Sequence, residues 1–237
     1  SSKLMNNLLL KVTNISKKYP GVKALAPIDF DLPKGEVHAI VGENGAGKST
    51  FIEILAGSII PDTGNIQIGG YTYKSLDPVK SIEVGIQTVH QENKLIGDLS
   101  IAENIYLYNL QKNRFGLFSL GKCFQACRDL LGSLNIELAP QTKIKDLSPV
   151  EKKLVSLAKA ISRNSQILIL DEPTVSLDTH GKKILFQIIE NCIQQGMSVI
   201  YISHNLDEVF EIAKNVTILK DGEKVNTHSV KEIQEDF

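Results

Sequence analysis

Apolar and polar residues alternate from Leu8 to Ile15, which predicts a half-buried strand, and a second candidate strand covers Ile28 to Leu32. Lys34 and Gly35 turn the chain into the apolar run Val37 to Val41, of the length expected for a buried strand. Beyond a glycine-rich stretch, Phe51, Ile52, Ile54 and Leu55 recur at helical spacing, and Gly57 supplies a helix end. The turn at Pro61 to Gly64 leads to a short strand around Ile66 to Ile68; a loop-rich segment follows, and then a strand at Ile86 to Val89. From about Leu99 to Arg163 the pattern is helical, with Ser100 and Glu103, and again Ser148 and Glu151, spaced as capping boxes. Strand and helix then alternate: Ile167 to Leu170, a helix to about Gln195 closed by Gly196, Val199 to Ile202, a helix from about Leu206, and Val216 to Leu219. Such alternation predicts a parallel sheet covered by helices, and Asp221 with Gly222 turns a final hairpin.

Composition narrows the function classes. With 237 residues, 42% hydrophobic and 22% charged, the chain can bury one large core or two small ones. Its 26 basic and 27 acidic side chains leave a net charge of -1, so no global field draws in polyphosphate chains and nucleic acid is not expected as a partner. No apolar run approaches the roughly 18 residues of a membrane-spanning helix, and no export signal opens the chain, so a cytosolic location is expected. Cys123, Cys127 and Cys192 are expected to be reduced packing residues; Cys123 and Cys127 would share a helix face, but no further metal ligand lies near them in sequence. Residues Ser1 to Leu4 precede Met5 and are set aside as an expression remnant.

The strongest chemical signal is GENGAGKST, Gly42 to Thr50, between a predicted buried strand and a predicted helix. Backbone NH groups must close around phosphate oxygens, and Gly42, Gly45 and Gly47 remove side chains that would block them, while Glu43, Asn44 and Ala46 complete the loop. Lys48 then reaches the β and γ phosphates, the Ser49 hydroxyl coordinates magnesium, and Thr50 lies in the first turn of a helix whose N-terminus adds partial positive charge. The implied ligand is Mg-ATP. A second signal, Ile167 to Pro173, carries two adjacent carboxylates to the C-terminal end of a buried strand, the edge where open α/β sheets bind ligands. There Asp171 can hold the magnesium shell while Glu172 polarises the attacking water. At the end of the next strand Ser203 and His204 reach the same edge, where the imidazole could contact the γ phosphate. Gln91 can sense magnesium and the γ phosphate where the helical segment begins. Tyr19, before the turn at Pro20 and Gly21, either stacks on adenine or covers the core as a turn aromatic.

With these residues in hand, the chain resembles the ABC transporter nucleotide-binding domains from Leu8 to Thr227, and within them the sugar-import ATPases. The residues that carry the likeness are PGVKAL from Pro20, GEVHAIVGENGAGKST from Gly35, VHQE from Val89 and LSIAENI from Leu99, with Glu43, Asn44 and His90 the discriminating choices. The resemblance implies an α/β P-loop NTPase fold with a mixed core sheet, an antiparallel β subdomain and an inserted α-helical subdomain. Residues 5–237 would form one ATPase domain, with 5–92 and 164–237 as the nucleotide-binding core and 93–163 as the helical subdomain. It also implies hydrolysis of Mg-ATP coupled to uptake of ribose, galactose, xylose or a similar sugar. The sister group importing nucleosides shares much of the pattern, and a soluble ABC ATPase outside transport is the further alternative. Implied partners are a second ATPase domain, transmembrane permease subunits and, indirectly, a periplasmic or extracellular sugar-binding protein, with the chain peripheral at the cytoplasmic face of the membrane and soluble when isolated. Relatives of this kind usually carry two ATPase domains, so this chain is expected to be the N-terminal half.

One segment departs from the family pattern. Where the family has LSGGQ, this chain has LSPVE, Leu147 to Glu151. In the family this segment caps the γ phosphate held by the partner domain. Pro149 offers no NH and Val150 would crowd a phosphate, yet Ser148 and Glu151 form a capping box with Pro149 at the first helical position. The expected outcome is asymmetry: a complete P-loop site, and a poor signature lent to the partner.

Overall fold

The alternating and continuous apolar runs settle into ten strands and eight helices among the residues that the computed structural model describes, 7–90, 95–107, 119–163, 165–175 and 177–235. The chain divides into two units, one of residues 1–88, 165–172 and 192–237 and one of 89–164 and 173–191.

The first unit holds two sheets. Strands β1 (Leu8–Tyr19) and β2 (Val22–Pro33) form a long antiparallel hairpin, joined by β4 (Thr63–Ile68) and β5 (Tyr71–Tyr73) in the order β2-β1-β4-β5. The hairpin is longer than the alternation predicts. Register shifts between Val12 and Ile15 and between Ile15 and Lys17 break the two-residue period, so Thr13 and Asn14 are both exposed while Ile15 and Ser16 are both buried. Asn14 takes φ 54°, and its NH donates to Asp29 Oδ1 at 2.7 Å instead of to a ladder carbonyl. The second sheet has the order β10-β9-β3-β8-β7-β6, with β3 (Val37–Val41), β6 (Ile86–Val89), β7 (Ile167–Asp171), β8 (Ser198–Ile202), β9 (Asn215–Lys220) and β10 (Glu223–Ser229). Strands β3, β7, β8 and β9 run parallel and β10 antiparallel, so the sheet is mixed. Every residue of β3 and β8 is buried, as central strands covered on both faces should be. One core joins Leu10, Leu25 and Ile66 of the first sheet to Ile169 and Ile200 of the second through Phe51 and Ile54 of α1 (Lys48–Leu55). Gly57, past the end of α1, has φ 80°, and a Cβ there would stand 2.2 Å from the Asp77 carbonyl carbon. Asp77 caps α2 (Pro78–Glu83) by accepting from Lys80 NH, with Pro78 at the first helical position; Val79 and Ile82 stay exposed, so this helix has no apolar stripe to give it away in the sequence.

Across β3, β9 and β10 runs a buried polar ladder. His38 Nε2 shares a 2.8 Å hydrogen bond with the Thr217 hydroxyl, which shares another of 2.8 Å with Thr227. Glu36 accepts from Asn215 Nδ2 at 2.8 Å, pairs with Lys214 at 3.2 Å and lies 3.8 Å from His38 Nδ1. Burial alone would push the Glu36 carboxyl up, but His38, Asn215 and Lys214 together outweigh it and hold the group below its ordinary 4.5. The folded state therefore favours the ionised form, and the stability this contributes is present above about pH 4.5 and drains away as pH falls through the lowered folded value. The expected result is a thermal midpoint that drops on acidification below about pH 4.5. A Glu36→Gln variant should start lower at neutral pH and lose part of that dependence; calorimetry of the two proteins across pH 3 to 7 checks it.

The second unit is helical: α3 (Ile101–Tyr106), α4 (Leu120–Ser133), a 3-10 turn at Ile144–Asp146, α5 (Pro149–Ile161) and most of α6 (Thr179–Gln194). Both capping boxes form as the spacing predicts, Ser100 with Glu103 and Ser148 with Glu151. Asn104 is fully buried and binds Ile96 through its side-chain oxygen and nitrogen, which pins the approach to α3. Cys123, Cys127 and Leu131 make the buried stripe of α4. Burial, with Cys123 alongside, pushes the Cys127 thiol up to about 12, and burial pushes Cys192 in the first unit up to about 11, which disfavours the thiolate at both positions.

Candidate functional site

The fully buried β3 delivers the chain to Gly42 at its C-terminal end, where the backbone has no room for a side chain: a Cβ at Gly42 would sit 2.4 Å from the Leu219 carbonyl oxygen of β9. The loop then closes on itself through Ala46 NH to the Glu43 carbonyl at 3.1 Å. Gly47 has φ 98°, and a Cβ there would meet the Ala24 carbonyl oxygen at 2.9 Å. Two of the three motif glycines are thus required by neighbouring backbone as well as by a ligand. The Asp221–Gly222 turn between β9 and β10 braces the same loop, with Gly222 NH donating to the Ala46 carbonyl at 3.2 Å and Ala26 NH donating to the Gly222 carbonyl at 2.6 Å. That pair is legible in the sequence as a hairpin turn, but nothing in the sequence links it to the loop.

Glu43, Asn44 and Gly45 are exposed, whereas Lys48 is buried, with 7% of its surface exposed. Its ammonium donates to the Gly42 and Glu43 carbonyls, the latter at 3.0 Å, so the cation lies along the inside of the loop. No side chain caps α1 and no acidic residue occupies its first turn, which leaves the positive end of the helix facing the loop uncompensated; Ser49 is exposed there and Thr50 half-buried.

Sheet order brings the other groups to this edge. Strand β8 lies between β3 and β7, and Ile202 pairs with Ile40 on one side and Asp171 on the other. The end of β3 and Asp171 at the end of β7 therefore stand at one level, two strand spacings or about 10 Å apart. Asp171 ends β7 half-buried. Glu172 follows with φ 44°, a left-handed backbone that a glutamate adopts only at a cost of about 1–3 kcal/mol, and its NH donates to the Ile202 carbonyl at 3.0 Å. This turn sets its carboxylate against His204, whose Nδ1 lies 3.0 Å from Glu172 Oε1. Only the ring NH can donate in that pair, which leaves Nε2 as the acceptor nitrogen of an imidazole that is 66% exposed. Ser203, by contrast, turns inward and is buried. Tyr19 is 41% exposed at the β1–β2 turn, with Lys17 Nζ over its ring at 5.7 Å from the centroid. Its partner Val22 precedes Ala24, the residue against Gly47, by about 7 Å of strand. Gln91 lies outside the described residues.

The family model described as ABC transporter matches residues 25–175. The chain belongs to the ABC transporter family. Among ABC relatives, a protein of Agrobacterium fabrum provisionally named a ribose/galactose/methyl galactoside import ATP-binding protein is 40% identical over 96% of this chain and 44% of its own length. An arabinose import ATP-binding protein of Pseudomonas syringae pv. tomato is 41% identical over 92% of this chain and 43% of its own. The chain thus spans less than half the length of the curated ABC proteins it matches. An ATP-binding cassette of an ABC transporter in its ADP conformation has the same fold, with a TM-score of 0.84 at 22% identity, covering 97% of this chain and 95% of that one. The Clostridium perfringens protein cbiO1, part of an ABC transporter complex, gives 0.82 at 26% identity over 97% and 92%.

In this ABC chain the unusual LSPVE segment folds as a helix start. Ser148 accepts from Glu151 NH at 3.2 Å, Glu151 accepts from Ser148 NH at 2.7 Å, and Pro149 takes the first helical position. Val150 is half-buried and packs toward Gly181, where an added Cβ would lie 3.1 Å from Val150 Cγ1. The valine thus has a packing role within the helical unit, and Gly181 accommodates it.

Proposed function

We propose that this chain is one ATPase half of an ABC importer, binding and hydrolysing Mg-ATP to energise uptake of a sugar. The observation that carries it is the strained Glu172, held against His204 directly after Asp171, which stands at the level of the P-loop strand. In this reading the loop from Gly42 to Thr50 wraps the phosphates and Lys48 leaves its two carbonyls to pair with the β and γ phosphates. Ser49, Asp171 and Gln91 offer the oxygen donors that magnesium takes, and the bound ion would offset phosphate charge. Water attacks the γ phosphorus, Glu172 takes its proton, the bond to the bridging oxygen breaks and ADP leaves. His204 fixes the γ phosphate through the Nε2 ring nitrogen, and Tyr19 stacks on adenine. Helical unit and signature serve a second ATPase domain, and membrane permease subunits receive the motion. The names of the matched relatives support the sugar class.

Phosphate release from Mg-ATP, measured beside nucleotide binding, tests the hydrolytic half of the proposal; binding without release would reduce the chain to a nucleotide sensor. Uptake of labelled ribose, galactose and arabinose by cells with the full-length transporter, with and without the Lys48→Ala change, tests the transport half.

The signature gives a separate prediction. Two copies of this chain should form only a weak ATP sandwich, because Pro149 has no NH to offer a phosphate and Val150 brings a side chain where the family pattern has glycine. The ATPase rate per chain should rise only slightly with protein concentration. The double change Pro149→Gly and Val150→Gly should steepen that rise several-fold while costing about 1 kcal/mol per glycine in helix stability. A wild-type rate that climbs steeply to brisk turnover contradicts the idea.

A further inference from the structure

Within the first unit, the turn that carries His204 is held by a buried carboxylate to which the chemistry above gives no role. Glu208, in α7 (Leu206–Ile212), is 5% exposed. Its Oε2 accepts from the Tyr201 hydroxyl at 3.0 Å and from Ser203 Oγ at 3.3 Å, and its Oε1 accepts from Asn205 Nδ2 at 3.4 Å. Ser203 Oγ in turn accepts the Asn205 NH at 3.0 Å, and Asn205 Oδ1 accepts Asp207 NH at 3.0 Å to start the helix. Three side chains, at 201, 203 and 205, therefore converge on one carboxylate from both sides of residue 204.

We infer that Glu208 is a positioning residue that orients the His204 imidazole for the reaction, an inference that rests on the proposed ATPase role of His204. Strand β8 ends at Ile202 and the chain bends at His204; tying Tyr201 and Ser203 before the bend and Asn205 after it to one carboxylate fixes the backbone on both sides of residue 204, whose Nδ1 meets Glu172. The imidazole is mostly exposed, so its direction depends on the backbone that bears it and on its hydrogen bond to Glu172. A buried carboxylate is costly unless its oxygens are satisfied, and a leucine would fill the same helix position at less expense. What the carboxylate adds is one defined geometry for three flanking residues, which apolar packing would leave loose.

A mutant cycle tests this. Glu208→Gln keeps the side-chain volume but presents an NH2 group to hydroxyl donors, which breaks part of the convergence. Turnover is expected to fall by roughly ten- to a hundredfold, the range that a small misplacement produces, with ATP affinity unchanged. In a His204→Ala background the same substitution should cause no further fall, because the group it positions is gone. Ring resonances of His204, assigned by their loss in His204→Ala, should shift or broaden in Glu208→Gln without nucleotide present. An equal fall in both backgrounds, or full turnover with unmoved resonances, overturns the inference. If Glu208→Gln does not fold, Tyr201→Phe and Ser203→Ala each remove one donor and enter the same cycle. A His204→Ala protein with undiminished turnover would instead sink the catalytic role of His204, and the resonances would then decide alone whether Glu208 sets the ring's direction.

Discussion

Replacing Glu172 with glutamine is expected to lower ATP turnover by about 10²–10⁴-fold while leaving nucleotide binding intact. Glutamine matches the glutamate in shape, and its carbonyl oxygen can still accept from His204 Nδ1, so the 3.0 Å contact and the arrangement around it should persist. What it loses is the ability to take a proton from water. The left-handed φ of 44° is an independent sign, since backbone held at such a cost is retained where it aims a group. Phosphate release and fluorescent-nucleotide titration on the same preparation check both halves of the expectation. A variant with undiminished rate removes Glu172 from the proton-accepting role, and one that also loses ATP affinity places the residue in binding instead.

The second large effect is expected at Lys48. Its ammonium spends the nucleotide-free state on the carbonyls of Gly42 and Glu43, inside the loop and nearly sealed from water. A polyphosphate entering the loop would take over this cation, and a charge-assisted hydrogen bond of this kind is worth about 1.5–3 kcal/mol. Lys48→Ala should therefore weaken ATP binding by about 10- to 150-fold, by conversion at 1.4 kcal/mol per decade, and abolish measurable turnover. Lys48→Arg should recover little, because a planar fork cannot lie along two carbonyls on the inside of so tight a turn. Calorimetric titration with ATP separates the outcomes; unchanged affinity in Lys48→Ala would mean that the loop binds phosphate through its backbone alone.

Much of this architecture is legible in the residues. The apolar runs at Val37 to Val41, Ile167 to Leu170 and Val199 to Ile202 mark the central strands, and both capping boxes mark helix starts that form as spaced. The β1–β2 hairpin is harder to delimit, because bulges around Asn14 and Ile15 destroy the alternation that would reveal its length. Helix α2 is hidden for a different reason: it buries only Ser81, and its sole signals are the Asp77 cap and Pro78. At the site, residue types announce the P-loop and the paired carboxylates. They cannot announce that β8 intervenes between β3 and β7, because strand order is a property of long-range pairing. The bond between His204 and Glu172 depends on that order. The convergence on Glu208 likewise depends on burial, which a lone glutamate in a polar helix start does not suggest.

The bracing of the P-loop by the Asp221–Gly222 turn has a consequence for biosynthesis. The strands that flank β3 are made long after it: His38 and Thr217, joined across the sheet, are 179 residues apart in the chain. On a ribosome, the phosphate loop emerges early but lacks the Gly222 carbonyl and amide that later bind Ala26 and Ala46. Until that distant turn arrives, a half-made polypeptide has the motif without its mould, so competence to capture nucleotide is deferred until β9 and the Asp221–Gly222 turn have been made.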